Sequence, residues 1–271
     1  MTPPRVLLCG RPGIGGAAPG KAALLRRLPE HGVTGTAALS GTEGTALLDA
    51  ARAHGWAVER LDLERAIRPL ADLRALRALR RLGDGHDLVH AHAAKAGALA
   101  RLAFAGGPPV VYAPHGFYFT YHPEGSRPWR RYVALERALA RRTAVLHCVS
   151  CAERKVADEF ELSGRRGGVT LPNPVRARAA PVDRRALRSA LGVAPDERLV
   201  VMVARLAPPK DPETFARAAA LLPPRIRCVL VGDGPPAAAT PAESDGRLTL
   251  TGARDDARDP AAAAAVVVLT S

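Results

Sequence analysis

Short apolar runs recur along the whole chain, each followed by a Gly- or Pro-bearing turn or by a segment with helical spacing. They are RVLLC (5–9), AVERLDL (57–63), DLVHAH (87–92), PVVYAPH (109–115), AVLHCVS (144–150), GVTLP (168–172), LVVMVAR (199–205), RCVLVGDG (227–234), RLTLTG (247–252) and AVVVLTS (265–271). Most do not alternate apolar with polar, the pattern of strands covered on both faces in a parallel sheet. The prediction is an α/β fold of doubly wound type.

Between the runs, PLADLRALRALRRL places leucines at 70, 73, 76, 79 and 82 and arginines at 74, 77, 80 and 81, which predicts a basic amphipathic helix. WRRYVALERALARR (129–142) predicts a second, with Trp129 and Tyr132 among its arginines. Each suits a solvated cationic face; docking on a membrane surface is the alternative. The rhythm breaks in NPVRARAAPVDRRALRSALGVAPDE, giving predicted domains at 1–178 and 179–271. The second series stops on an apolar strand at Ser271, so that domain is expected to be C-terminally truncated.

A hydrophobic fraction of 47% excludes a disordered chain, and the net charge of +13 comes almost wholly from arginine. An Arg- and Ala-heavy composition also follows from GC-rich coding, so the charge does not argue for nucleic acid. It suits an anionic partner: phosphate, diphosphate or membrane surface. No signal segment opens the sequence, and no apolar run reaches the roughly 18 residues of a membrane helix, so a cytoplasmic protein with reduced thiols is expected. Cys148 and Cys151 form a C-x-x-C, read as core packing within a buried strand because no second pair follows.

GIGGAAPGKAALL (13–25) follows the first strand and fits a Walker A loop, G-x-x-x-x-G-K-[ST], at every position but the last. There Ala22 lacks the hydroxyl that would ligate Mg²⁺, and Pro19 removes an N–H from a loop that presents N–H groups to phosphate. Asp233 in CVLVGDG could serve as the Walker B acid, leaving a P-loop NTPase as one alternative. A degenerate, non-catalytic anion-binding domain is another. A glycine turn ahead of a helix, facing phosphate with the positive end of the helix dipole, is the reading preferred to both.

Strand ends carry the remaining chemistry. HDLVHAHAAKAG brings His90, His92 and Lys95 to the carboxyl end of one strand, where open α/β sheets bind ligands, and VVYAPHGFYF brings His115 to another. No third ligand stands at a convincing spacing for metal, so substrate contact is expected. VARLAPPKDPETF sets Arg205 and Lys210 across a proline turn, a fork and a point charge suited to diphosphate. LVGDGP adds a tight turn in which Gly232 and Gly234 let backbone approach a ligand.

In order, Gly15-Gly16, HAHAAKAG, PHGFYF, VSCAE, LPNPV, ARLAPPKD, VGDGP and LTGARDD through VVVLTS resemble the retaining, nucleotide-sugar-dependent glycosyltransferases of the GT-B fold, with two Rossmann-like domains. The likeness is to members acting in polysaccharide and glycolipid assembly, and it covers almost the whole chain. It implies transfer of a hexose from a nucleoside diphosphate sugar to a hydroxyl acceptor, without a metal or other cofactor. Gly15 and Gly16 match the glycine turn facing the donor diphosphate, although AAP replaces the acidic residue that often follows. His115 matches the histidine that contacts the transferred sugar. Arg205 and Lys210 match the diphosphate clamp, with Ala204 and Asp211 in place of glycines common there. Gly232 to Pro235 match the turn near the nucleotide, Asn173 falls at the interdomain turn, and Lys21 receives no role.

The E-x7-E pair of such enzymes would follow VVVLTS, beyond Ser271. Glu153 and Glu161 have that spacing but lie far upstream, and are read as a coincidence on a surface helix. The resemblance therefore implies a chain with little or no transfer activity as it stands. A lipid-linked acceptor would bring helices 70–82 and 129–142 to the inner face of the membrane.

Overall fold

The computed structural model describes residues 2–11, 17–40, 45–64, 66–174, 181–234, 246–254 and 256–270. The chain divides into two compact units, Met1–Val175 and Arg176–Ser271.

In the first unit, strands β1 (Arg5–Gly10), β2 (Thr34–Ser40), β3 (Ala57–Leu61), β4 (Leu88–His92), β5 (Val110–Ala113), β6 (Val145–Cys148) and β7 (Gly168–Thr170) form one sheet in the order β3-β2-β1-β4-β5-β6-β7. Every pairing is parallel. Helices α1 (Ala17–Glu30), α2 (Thr45–Ala53), α3 (Pro69–Gly83), α4 (Ala94–Ala103), α5 (Arg127–Ala140) and α6 (Cys151–Glu159) connect the strands. Successive residues of β1 serve opposite faces: Val6 and Leu8 pack with Leu25, Leu47 and Leu48 of α1 and α2, while Leu7 and Cys9 pack with Ala75, Leu79 and Leu99 of α3 and α4. Two covered faces explain the unbroken apolar runs.

The second unit repeats the plan on a smaller scale. Strands β8 (Arg198–Val203), β9 (Ile226–Val231), β10 (Leu248–Leu250) and β11 (Val266–Val267) form a parallel sheet in the order β10-β9-β8-β11. Met202, Cys228 and Leu230 pack with Phe215 and Ala219 of α8 (Pro212–Leu221) on one face. On the other, Leu199, Val201 and Val229 meet Leu187 of α7 (Arg184–Ala190) and Ala263 of α9 (Arg258–Ala263).

Three sequence expectations need correction. The leucines of α3 do not share a face, because three residues fall about 60° short of a full turn and the row winds around the helix. Leu70 is 78% exposed and Leu73 also faces solvent, whereas Leu79 is buried with Ala71 and Ala75. Cys151 is not in a buried strand: β6 ends at Cys148, and Cys151 begins α6, exposed. Nor is Glu153 on a solvated face, for its side chain is buried in the first turn of α6.

Candidate functional site

The strand order reverses between β1 and β4, and at such a switch point the carboxyl ends of neighbouring strands open a ligand crevice. Gly10 stands opposite His92 across this pair, and a Cβ on Gly10 would lie 3.1 Å from the His92 Cβ and carbonyl oxygen. The glycine thus makes room for a histidine that is only 1% exposed.

Four histidines gather at this edge. His92 Nδ1 and His115 Nε2 are hydrogen-bonded at 2.9 Å, with the rings stacked at 5.2 Å. The His90 ring lies 4.2 Å from His92, and His90 Nε2 meets His147 Nδ1 at 3.3 Å. His147 Nε2 lies 3.0 Å from the Leu171 carbonyl, which can only accept, so Nε2 carries the proton. In its neutral form His147 then accepts at Nδ1 from His90. Burial is the main cause that lowers His90 to about 3 and His115 to about 4, and it holds His92 well below the usual imidazole range. These three rings are therefore neutral at pH 7. His92 Nε2 and His115 Nδ1 are buried without a hydrogen-bond partner among the described residues, so the pair has polar capacity to spare.

The loop around His115 is fixed from α6. His115 adopts the left-handed conformation, with φ 55°. The Glu153 carboxylate accepts from Gly116 N–H at 2.5 Å and from Val149 N–H at 2.6 Å, while Ser150 caps α6 by accepting from Glu153 N–H. Left-handed backbone at a non-glycine residue costs on the order of 1 kcal/mol and persists only where its surroundings hold it. Ala93, between β4 and α4, also has a positive φ, 71°, but with an extended ψ of 159°.

Lys95 turns away from the histidines, pairing with Asp72 of α3 at 2.5 Å and donating to the Ala66 carbonyl. Gly15 and Gly16 lie outside the described residues. Lys21, to which the resemblance gave no role, is 2% exposed and donates to the Arg11 carbonyl. Burial, with the Arg11 charge, lowers its ammonium to about 8, and the Lys21 charge in turn helps to hold His92 and His115 down. A Cβ on Gly20 would lie 2.2 Å from Asn173 Oδ1, so the turn after β7 packs directly on α1.

In the second unit, Arg205 is exposed in the loop after β8, and Lys210 closes a short 3-10 turn, Pro208–Lys210. Asp211 follows in the left-handed conformation, φ 43°, and caps α8 by accepting from Thr214 N–H at 3.1 Å. The handedness accounts for the glycine common at this place in the resembling enzymes: Asp211 bears the strain that glycine avoids and supplies a cap in exchange. The Thr270 hydroxyl ties the turn down through the Lys210 and Asp211 carbonyls, at 2.9 and 2.7 Å.

Gly232 and Gly234 have a more specific task than leaving room for a ligand. A Cβ on Gly232 would lie 1.8 Å from the Ala204 carbonyl oxygen, and one on Gly234 would lie 2.1 Å from that of Leu206. The loop after β9 thus packs on the loop that carries Arg205, and Leu206 N–H donates to the Asp233 carbonyl at 2.9 Å.

Among the described residues, no group of three or more His, Cys, Asp or Glu side chains is set to hold a metal ion, and no helix is long and apolar enough to cross a membrane.

Two Rossmann-like units with polar residues gathered at the carboxyl edges of their strands define a GT-B-type α/β protein. Residues 15–174 match the family described as "Glycosyl transferase 4-like domain", and the chain belongs to that family. It is 32% identical over 187 residues to the UDP-Gal:alpha-D-GlcNAc-diphosphoundecaprenol alpha-1,3-galactosyltransferase of Escherichia coli, covering 63% of this chain and 47% of that protein. To the D-inositol 3-phosphate glycosyltransferase of Mycobacterium tuberculosis it is 30% identical over 173 residues, covering 61% of this chain and 35% of the relative. The chain thus spans less than half the length of these two relatives. Its fold is shared with Anabaena HepE, solved in complex with UDP and glucose: TM-score 0.73, 22% identity, 98% of this chain and 74% of that one.

Proposed function

We propose that the chain forms the acceptor-side unit and a nucleotide-sugar-binding unit of a retaining glycosyltransferase. The reaction moves a hexose from a nucleoside diphosphate sugar to a hydroxyl acceptor in polysaccharide or glycolipid assembly. One observation carries this reading: the neutral pair of buried His92 and half-buried His115, with a ring nitrogen on each left unpartnered among the described residues, at the switch point of a Rossmann-like sheet. Neutral imidazoles with spare hydrogen-bonding capacity suit sugar hydroxyls better than phosphate. His115 would face the transferred sugar, with His92 as its hydrogen-bond partner.

In this reading Arg205 and Lys210 bind the donor diphosphate and stabilise the charge that develops on it as the glycosidic bond breaks. Gly232 and Gly234 hold the Arg205 loop near the nucleotide, and Gly15 and Gly16 are assigned to the donor diphosphate on the sequence match alone. Lys95 would reach a substrate only by leaving Asp72. The names of the two relatives support a sugar donor, and that of the galactosyltransferase supports a lipid-linked acceptor. Such an acceptor would bring the arginines of α5 and the exposed Tyr118 and Tyr121 beside it to an anionic bilayer from the cytoplasmic side.

Calorimetric titration tests the reading. UDP or GDP should bind without added metal, and Arg205→Ala should weaken binding at least tenfold, as expected on losing a charge-assisted fork. Mg²⁺-dependent ATP binding that disappears in Lys21→Ala would point instead to an NTPase. Absence of any nucleoside diphosphate binding would leave a non-catalytic domain.

A further inference from the structure

Glu153, the last residue of VSCAE, is a buried carboxylate to which the proposed reaction gives no role. It lies in the first turn of α6, behind β6, yet its two oxygens reach the backbone of two different strand-end loops. Oε1 accepts from Gly116 N–H after β5, and Oε2 accepts from Val149 N–H after β6. The peptide held by Oε1 is the one that joins His115 to Gly116, so the bond fixes the orientation of the His115 backbone just where it is left-handed. Both contacts are short, as charge-assisted N–H···O⁻ bonds are, and the α6 N-terminus favours the negative charge electrostatically.

We infer that Glu153 is a positioning residue: its carboxylate clamps the two loops and holds His115 in the left-handed conformation that brings its imidazole onto His92. The inference rests on the reading of His115 as the sugar-facing group only for its effect on donor binding. The clamp itself concerns the free chain.

Glu153→Gln is the discriminating variant. It keeps the shape of the side chain but has one accepting oxygen, and its NH₂ would face a backbone N–H. In the wild-type chain, NMR should place the Gly116 and Val149 amide protons well downfield and slow to exchange. In Glu153→Gln, one or both should move upfield, and the His115 ring should titrate closer to a free imidazole. Glu153→Asp, with its charge kept and its reach shortened, should fall between the two. A folded Glu153→Gln chain whose Gly116 amide and His115 titration match the wild type would overturn the clamp. If Glu153→Gln does not fold, ordinary shifts and fast exchange at Gly116 and Val149 in the wild type would overturn it equally.

Donor binding separates this inference from the one beneath it. Glu153→Gln should weaken UDP-hexose binding several-fold, leave UDP binding unchanged, and add nothing in a His115→Ala background. Should His115→Ala leave UDP-hexose binding intact, the sugar-facing role of His115 falls, while the amide and ring signals still decide whether Glu153 holds the loop.

Discussion

Arg101 on α4 and Glu136 on α5 are paired at 2.9 Å with almost no access to solvent, and the Arg101 guanidinium lies 3.9 Å above the Tyr112 ring of β5. The Tyr112 hydroxyl completes the group by donating to Glu136 at 3.1 Å. The helix over β5 is thereby fixed to the strand that delivers His115. Truncating one partner leaves the other charge buried and unpaired, which costs about 3–5 kcal/mol. Glu136→Ala should lower the urea midpoint of the first unit accordingly, and Glu136→Gln should lower it less.

Acid should loosen this unit before its carboxylates are fully titrated. The unfolded chain binds protons on its histidines near pH 6.5, while the folded chain holds off to about pH 4 at His115 and about pH 3 at His90. Stability therefore falls as pH drops through that window, by about 1.4 kcal/mol per pH unit for each such ring. Unfolding midpoints at pH 7, 6 and 5 check this, and His90→Asn should flatten the slope.

Lys21 is lowered in the same direction but stays charged at pH 7. Its ammonium sits at about 8 in the fold against 10.5 in the open chain, a penalty fully present below pH 8 that fades between 8 and 10.5. Lys21→Met should stabilise the first unit at pH 7, on the order of 2 kcal/mol, with the gain shrinking above pH 8. Equal midpoints at pH 7 would mean that the charge is compensated.

At Asp211, strain and capping separate cleanly. Asp211→Ala keeps the left-handed strain and loses the bond from Thr214 N–H, whereas Asp211→Gly loses the bond and relieves the strain. The alanine variant should show the larger drop in the thermal midpoint of the second unit.

The strands with branched apolar residues were legible because both faces of each sheet are covered. β2 was not: TGTAALS offers alanines and hydroxyls, and only its place between β1 and β3 makes it a strand. His90, His92 and His115 were legible because strand-end loops collect chemistry. His147 was hidden inside an apolar run, and its partners come from β4 and the turn after β7. Glu153 was misjudged because local spacing makes a charged residue on a helix look solvated, and only the neighbouring strand ends show where its side chain goes. The Arg101–Glu136 pair spans two helices and leaves no local trace.

Of the described non-glycine residues with positive φ, Ala93, His115 and Asp211 stand in loops beyond the carboxyl ends of strands, Asp211 closing the Pro208–Lys210 turn, and Glu161 lies just after α6. A population of variants screened only for heat resistance should therefore drift toward glycine at 93 and 115, easing the backbone while loosening the grip on whatever rests there. Durability and purpose would be selected apart in this chain, at positions that can be named in advance.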